Sequence, residues 1–243
     1  MLFSRSVHAQ LVERFIFNFR VKPDVLASHL PVSYLHPQVL QGWSVVSFCF
    51  LKLEHVMISS LPSWLGLKTI SCAYRCGVSW SRDTFGSEPV PSVYVFGRYA
   101  DHALISHLGP CVFSSTLPHI DVSLSEDDNV RTLRVSDNNQ QCLFSASIQP
   151  TASQSEWNSQ VFASLESFVR FIELGLTSYA SSSSGEALLR IDLQEQGTQY
   201  EAINATVIHS SPDTAWPNSE LIFDSAVRAT GGLYKWTYRG IYR

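Results

Sequence analysis

Hydrophobic and polar residues alternate along much of this chain, and the alternation predicts strands. From Leu11 to Val21, Leu11, Phe15, Phe17, Phe19 and Val21 fall on one face together with Glu13, while Arg14, Asn18 and Arg20 fall on the other. A short helix is expected over Pro23–Leu30, with Pro23 suited to a first turn. Trp43–Leu53 is almost continuously apolar, which suits a strand covered on both faces. Lys68–Trp80 has two unlike faces. Ile70, Cys72, Tyr74, Cys76, Val78 and Trp80 form one, and Thr69, Ser71, Ala73, Arg75, Gly77 and Ser79 form the other. Ser92–Phe96 reads as a strand leading into a helix over Ala103–Leu108, with Asp101 suited to cap it and Gly109 to end it.

Further strands are expected at His119–Leu124, Val130–Ser136 and Gln140–Ile148, separated by turn-forming residues. The spacing of Leu165, Phe168, Val169, Ile172, Leu176 and Tyr179 predicts a helix capped by Ser164 and running to about Tyr179. Strands follow at Ala187–Leu193 and Tyr200–Ile208. Phe223–Ala229 fits a short helix or an extended piece, and Tyr234–Tyr238 fits a last strand. Many strands and few helices in a non-alternating order argue for an α+β chain, mainly antiparallel β, with its few helices flanking the sheet. So many strands leave costly edges unless the sheet curves and closes into a barrel. No linker divides residues 1–243, so a single domain is expected, with the Ser164–Tyr179 helix on the sheet's outer face.

Composition narrows the function. Lysine plus arginine total 17 against 21 acidic residues, a net charge of −4 with no long basic run, which argues against a nucleic-acid partner. No apolar run is long enough to span a membrane, and the N-terminus lacks a signal-peptide pattern. The five cysteines, Cys49, Cys72, Cys76, Cys111 and Cys142, include no CxxC pair. They read as reduced thiols of a cytoplasmic protein. His102 and His107 are badly spaced for one metal, no glycine-rich phosphate loop occurs, and neither metal nor cofactor is expected. A homo-oligomer is compatible with the sequence.

Several segments, taken in order, carry a resemblance. They are Arg20-Val21-Lys22-Pro23-Asp24-Val25-Leu26 followed by Leu30-Pro31, and Ala73-Tyr74-Arg75-Cys76-Gly77-Val78. Phe168 to Ser182 follows, then Phe223-Asp224-Ser225-Ala226 with Lys235-Trp236. With the Ser92–Gly109 stretch, they resemble the acetoacetate decarboxylase-like superfamily, and within it an uncharacterised bacterial branch. The resemblance implies a cone-shaped antiparallel barrel around a small-molecule pocket. In the decarboxylases a lysine at the end of this strand forms a Schiff base with substrate, and an acidic group near the second core strand assists it. Here the aligned positions read Phe96-Gly97-Arg98, and the acidic neighbourhood carries Arg75. A guanidinium stays charged and cannot form the imine, but it can bind a carboxylate with two parallel hydrogen bonds.

The expected function is therefore binding, with or without turnover, of a small anionic or keto-acid-like molecule without the Schiff-base lysine. Two alternatives stay open. One is a carbon–carbon lyase with a relocated lysine, for which Lys235 beside Trp236 is the candidate among Lys22, Lys52, Lys68 and Lys235. The other is a non-catalytic binding or interaction module. The candidate ligand-binding residues are Arg75, Arg98, Tyr94 and Glu13, and no catalytic residue is assigned. Arg75 is the one charge on a face of small residues; otherwise it snorkels or pairs with a buried carboxylate. Arg98 stands at a strand end, where it either serves a site or pairs locally, and alternation puts it on one face with Tyr94 and Phe96. Glu13, among phenylalanines, is either buried with a raised pKa or at an exposed strand end.

Overall fold

The computed structural model describes residues 6–59, 66–80, 90–113, 115–149, 157–182, 187–211 and 220–242. Its strands are β1 (Ser6–Val21), β2 (Leu35–Pro37), β3 (Ser44–Ile58), β4 (Leu67–Trp80), β5 (Val90–Ala100), β6 (Ile120–Asp127), β7 (Val130–Asp137), β8 (Cys142–Gln149), β9 (Thr177–Ser181), β10 (Leu188–Gln196), β11 (Gln199–Ser210), β12 (Ile222–Thr230) and β13 (Leu233–Tyr242). The helices among the described residues are α1 (Pro23–Ser28), α2 (Ala103–Phe113) and α3 (Leu165–Leu174). None of them is long and apolar enough to cross a membrane.

Seven strands close a barrel in the order β1-β3-β4-β5-β9-β10-β13, with β13 returning to β1. All these pairings are antiparallel except β5 with β9. β1 is long enough to serve two neighbours on one edge. Its residues Ser6–Gln10 pair with β13, and Glu13–Arg20 pair with β12. From β12 a second run of strands, β11-β8-β7-β6, leaves the barrel and curls back over it.

That second run fills the space on one side of β1, β3 and β4. Phe15, Phe17, Phe48, Phe50 and Tyr74 meet Leu133, Val135, Phe144 and Ala146 there, all fully buried. The Phe48 and Phe144 rings stack with centroids 4.0 Å apart. β3 is accordingly buried on both faces from Ser44 to Phe50, as its apolar run predicts. Burying large aromatic side chains in this way supplies much of the hydrophobic driving force for folding.

Several sequence expectations change. Leu11 does not share the Glu13 and Phe15 face: the register against β3 shifts between Leu11 and Glu13, so Val12 is an extra residue. Leu11 packs instead with Leu53 and Tyr234. A bulge of one residue transfers everything before it to the opposite face. The helix from Ser164 has the expected cap, with Ser164 Oγ accepting the Ser167 amide at 3.2 Å, but it stops at Gly175. Thr177–Ser181 is β9, which the barrel needs to join β5 to β10; Tyr179 has helical spacing, yet strand pairing decides.

Nor does α3 lie on the outer face. It packs on Ile16, Val45 and Cys49, on the inward side of the barrel strands. Gly77 permits its approach, since a Cβ there would sit 2.6 Å from the Phe171 ring. α2 continues past Gly109 to Phe113. Asp101 does not cap it but holds β4, accepting from the Thr69 hydroxyl at 2.8 Å and the Ile70 amide at 2.7 Å; His102 Nδ1 accepts the Leu104 amide. Phe223–Ala229 is extended, within β12.

Candidate functional site

The barrel's inward face is set by register. Across four adjacent strands, Ile16, Cys49, Ala73 and Arg98 are partners in line. One step along, Ser47, Arg75 and Val95 are partners. Of these positions, Cys49, Ala73, Arg75, Val95 and Arg98 border a cavity of about 200 Å³. Leu51, Leu53, Val93, Leu193 and Trp236 make much of its wall, and Ile105 and Phe113 of α2 complete it. Three arginines, Arg14, Arg75 and Arg98, border the same space, and no acidic residue does so among the described residues.

Arg75 projects from the small-residue face of β4. Its Nη2 is buried without a hydrogen-bond partner, and no carboxylate among the described residues pairs with it. Burial, above all, pulls its pKa below the ordinary arginine value; Cys49 acts against this and Arg14 adds to it. A charge taken out of water without a partner is strongly unfavourable.

Arg98 reaches the cavity because β5 bulges. Gly97 pairs with Tyr74 but Val95 with Arg75, leaving Phe96 as the extra residue. Arg98 therefore joins Val93 and Val95 inside, rather than Tyr94 and Phe96. Its Nη2 donates to Ser178 Oγ at 3.2 Å, and Ser178 in turn donates to the Ile191 carbonyl at 3.1 Å. Burial lowers its pKa to about 10.

Arg14 is only 2% exposed. It donates to Tyr234 Oη at 3.3 Å, stands 3.9 Å from Cys49 Sγ, and lies 3.8 Å from Glu195 Oε2. The other Glu195 oxygen accepts the Tyr200 hydroxyl. Burial opposes its charge, but Tyr234, Cys49, Tyr200 and Glu195 outweigh that and hold its pKa well above the ordinary value. Alternation in the sequence puts Arg14 on the polar face of its strand. That this face is an enclosed interior follows only from barrel closure.

A scan against protein-family models and a search of curated proteins find no match. Solved structures do match. Acetoacetate decarboxylase from Legionella pneumophila aligns over 97% of this chain and 88% of its own, with TM-score 0.65 and 12% identity. The enduracididine biosynthesis enzyme MppR complexed with pyruvate aligns over 99% and 91%, with TM-score 0.60 and 12% identity. An acetoacetate decarboxylase-like enzyme from Sphingomonas wittichii RW1 aligns over 98% and 92%, with TM-score 0.59 and 10% identity. The chain has the acetoacetate decarboxylase fold.

Within this acetoacetate decarboxylase-like barrel, none of the four lysines borders the cavity. Lys22 Nζ lies over the Trp43 ring, 4.1 Å from its centroid. Lys52 is exposed, and Lys68 pairs with Glu54 at 2.7 Å. Lys235 lies between Tyr234 and Trp236, both cavity-lining, so strand alternation points it the other way.

Of the candidates from sequence, the structure brings Arg75 and Arg98 to one cavity and places Tyr94 and Glu13 elsewhere. The Tyr94 hydroxyl is 2.9 Å from Ser181 Oγ, and its ring meets Phe96 edge-on at 5.0 Å. Glu13 lies on the opposite face of β1 from Arg14. Arg131 donates to both its oxygens at 2.8 Å, and Arg228 Nε donates at 2.7 Å. Glu13 is buried, yet its pKa is lowered rather than raised: burial pushes upward, and the two arginines outweigh it. It forms no pair with Arg75.

Proposed function

We propose that the protein binds a small anionic, keto-acid-like organic molecule in the barrel cavity, held by Arg75 and Arg98 with Arg14 beside them. The observation that carries this reading is the Arg75 guanidinium at the cavity wall, with its Nη2 buried and unpartnered and no acid to neutralise it. A buried charge kept in the fold without a partner is relieved when a carboxylate arrives. Arg75 supplies the planar fork that carboxylates fit. The apolar wall excludes water and strengthens that contact. A solved structure of this fold holds pyruvate, which supports a keto acid as the kind of occupant.

The same geometry argues against the Schiff-base route. Imine formation needs a primary amine that loses its proton near neutral pH and faces the substrate. Gly97 has no side chain, Arg98 keeps its proton, and Lys235 faces away. Carbon–carbon lyase chemistry by a relocated lysine is thus the weaker reading. Glu13 and Tyr94 are left out of the proposed site, because each is satisfied by partners outside the cavity.

Calorimetric titration of the full chain with pyruvate, acetoacetate and longer 2-oxo acids tests the proposal. Saturable binding to one site, weakened by raised chloride, is expected. Absence of binding by every carboxylate, with neutral ketones of equal size binding instead, overturns it.

A further inference from the structure

The cavity's charge is not concentrated at one point. Three arginines face it, and one carboxylate, Glu195, approaches any of them, loosely, at Arg14. The surplus is two positive charges among the described residues. Their placement matters as much as their number. Arg14 and Arg75 lie within each other's field and share Cys49, Tyr200 and Tyr234 as electrostatic neighbours. Arg98 does not belong to that group. No charged or titratable neighbour perturbs it, and its hydrogen bond goes to Ser178 on β9, on the far side of β5 from β4.

The backbone explains the separation. Arg98 sits opposite Ala73, two residues along β4 from Arg75, so the two start as diagonal neighbours about 7–8 Å apart. Arg98 then leans toward β9 while Arg75 faces Arg14 and Cys49. Apolar Val93 and Val95 line the cavity on the same strand as Arg98. A ligand with one negative group neutralises one pole and leaves the other buried and unmatched.

We propose that the occupant is a short two-headed dicarboxylate, with one carboxylate at the Arg14–Arg75 pole and the other at Arg98. This rests on the anion-binding reading above and narrows it. Arg98 becomes the specificity residue that separates dicarboxylates from monocarboxylates of the same length. A compact dianion carries the charge but lacks the second head, so it cannot satisfy both poles.

The test compares 2-oxoglutarate with 2-oxopentanoate, which has the same five carbons and a methyl in place of the distal carboxylate, and with inorganic phosphate. Calorimetry on the full chain reads all three. 2-Oxoglutarate should bind at least about thirty-fold more tightly than 2-oxopentanoate, the range expected when a hydrogen bond between charged groups is gained. Arg98→Gln should bring 2-oxoglutarate down to the 2-oxopentanoate level, so that the ratio of the two affinities falls to about one. Arg98→Lys, which keeps the charge, should retain part of the preference if the glutamine variant folds poorly. Equal binding of the two oxo acids by the unaltered protein, or phosphate binding as well as 2-oxoglutarate, overturns the dicarboxylate inference and leaves the anion-binding function standing. A preference that survives Arg98→Gln overturns the role of Arg98. Failure of all three anions to bind overturns both readings.

Discussion

Glu13 and Arg14 are neighbours in the chain, both buried, and they live in opposite electrostatic worlds. On the Glu13 side of β1 the buried carboxylate is matched by two arginines. Arg131 grips both carboxylate oxygens, Arg228 takes one of them, and Arg228 also reaches Glu201 at 2.8 Å. The Arg131 guanidinium lies over the Phe15 ring, 4.9 Å from its centroid. Beneath this network Phe15, Phe17, Phe48 and Phe50 pack against the second run of strands, and the pocket beside it carries charge of both signs, from Glu126 and Glu201 and from Arg131 and Arg228. On the Arg14 side the strand faces a hollow, and the cations that border it outnumber the acids near them. Matched charges over a filled core are what stability alone produces. Unmatched charges around a void lower stability and persist where something else completes them. On the proposed reading, the two faces of one strand carry structural charge on the Glu13 side and ligand-binding charge on the Arg14 side.

The contrast can be broken from the filled side first. Phe17→Ala, in the packed face, should destabilise the protein by about 3–5 kcal/mol, read by chemical denaturation. A loss near zero would show that this face is not the rigid half of the comparison.

Glu13→Gln should have the next largest effect. It strands two arginines, but both reach solvent, so the loss is about 2–3 kcal/mol rather than the figure for a fully buried pair. The pH dependence has a definite sign. The folded-state pKa of Glu13 is depressed, so its contribution is present above the unfolded carboxylate value and fades as pH falls through the folded one. The stability gap between the unaltered protein and Glu13→Gln should therefore be full at pH 7 and narrow below about pH 4. A gap constant across that range would mean that the network is not what stabilises this face.

At the hollow side, the lysine question predicts an effect of zero. Borohydride treatment with acetoacetate or pyruvate should leave no adduct on Lys22, Lys52, Lys68 or Lys235, and carbon dioxide release from acetoacetate should stay at the uncatalysed rate. A stable adduct on Lys235, seen by peptide mapping, would mean that the amine reaches the cavity after all.

How much of this can be read from the chain depends on where period-two reasoning holds. On β4 it holds throughout: Ala73 and Arg75 face inward as the alternation requires, so Arg75 stands out among small residues from the sequence pattern alone. It fails at two single-residue insertions. The extra Val12 sends Leu11 to the opposite face from Phe15, and the extra Phe96 turns Arg98 away from Tyr94 and into the cavity. Gly97 is a local hint of the second bulge, since a glycine inside a strand often marks one, but nothing local marks the first, which answers to the pairing of distant strands. Arg14 is hidden for a different reason. A polar strand face is normally wet, and only the return of β13 to β1 makes this one an interior. The end of α3 is partly written at Gly175, but the helical spacing of Leu176 and Tyr179 runs past it, and the demand for β9 overrides that signal. The Glu13 partners, Arg131 and Arg228, lie 118 and 215 residues away along the chain, beyond any spacing argument.

The most direct test of the account replaces Arg75 by methionine and measures two quantities on the same sample: the thermal midpoint without ligand, and the affinity for 2-oxo acids. Arg75 has no partner to strand, and its departure removes repulsion from Arg14. The midpoint should hold or rise slightly, a change within about 0.5 kcal/mol, while affinity falls at least about tenfold with the loss of a hydrogen bond between charged groups. Unchanged affinity together with a large fall in the midpoint would contradict the account, because it would make Arg75 a structural charge like those on the Glu13 side.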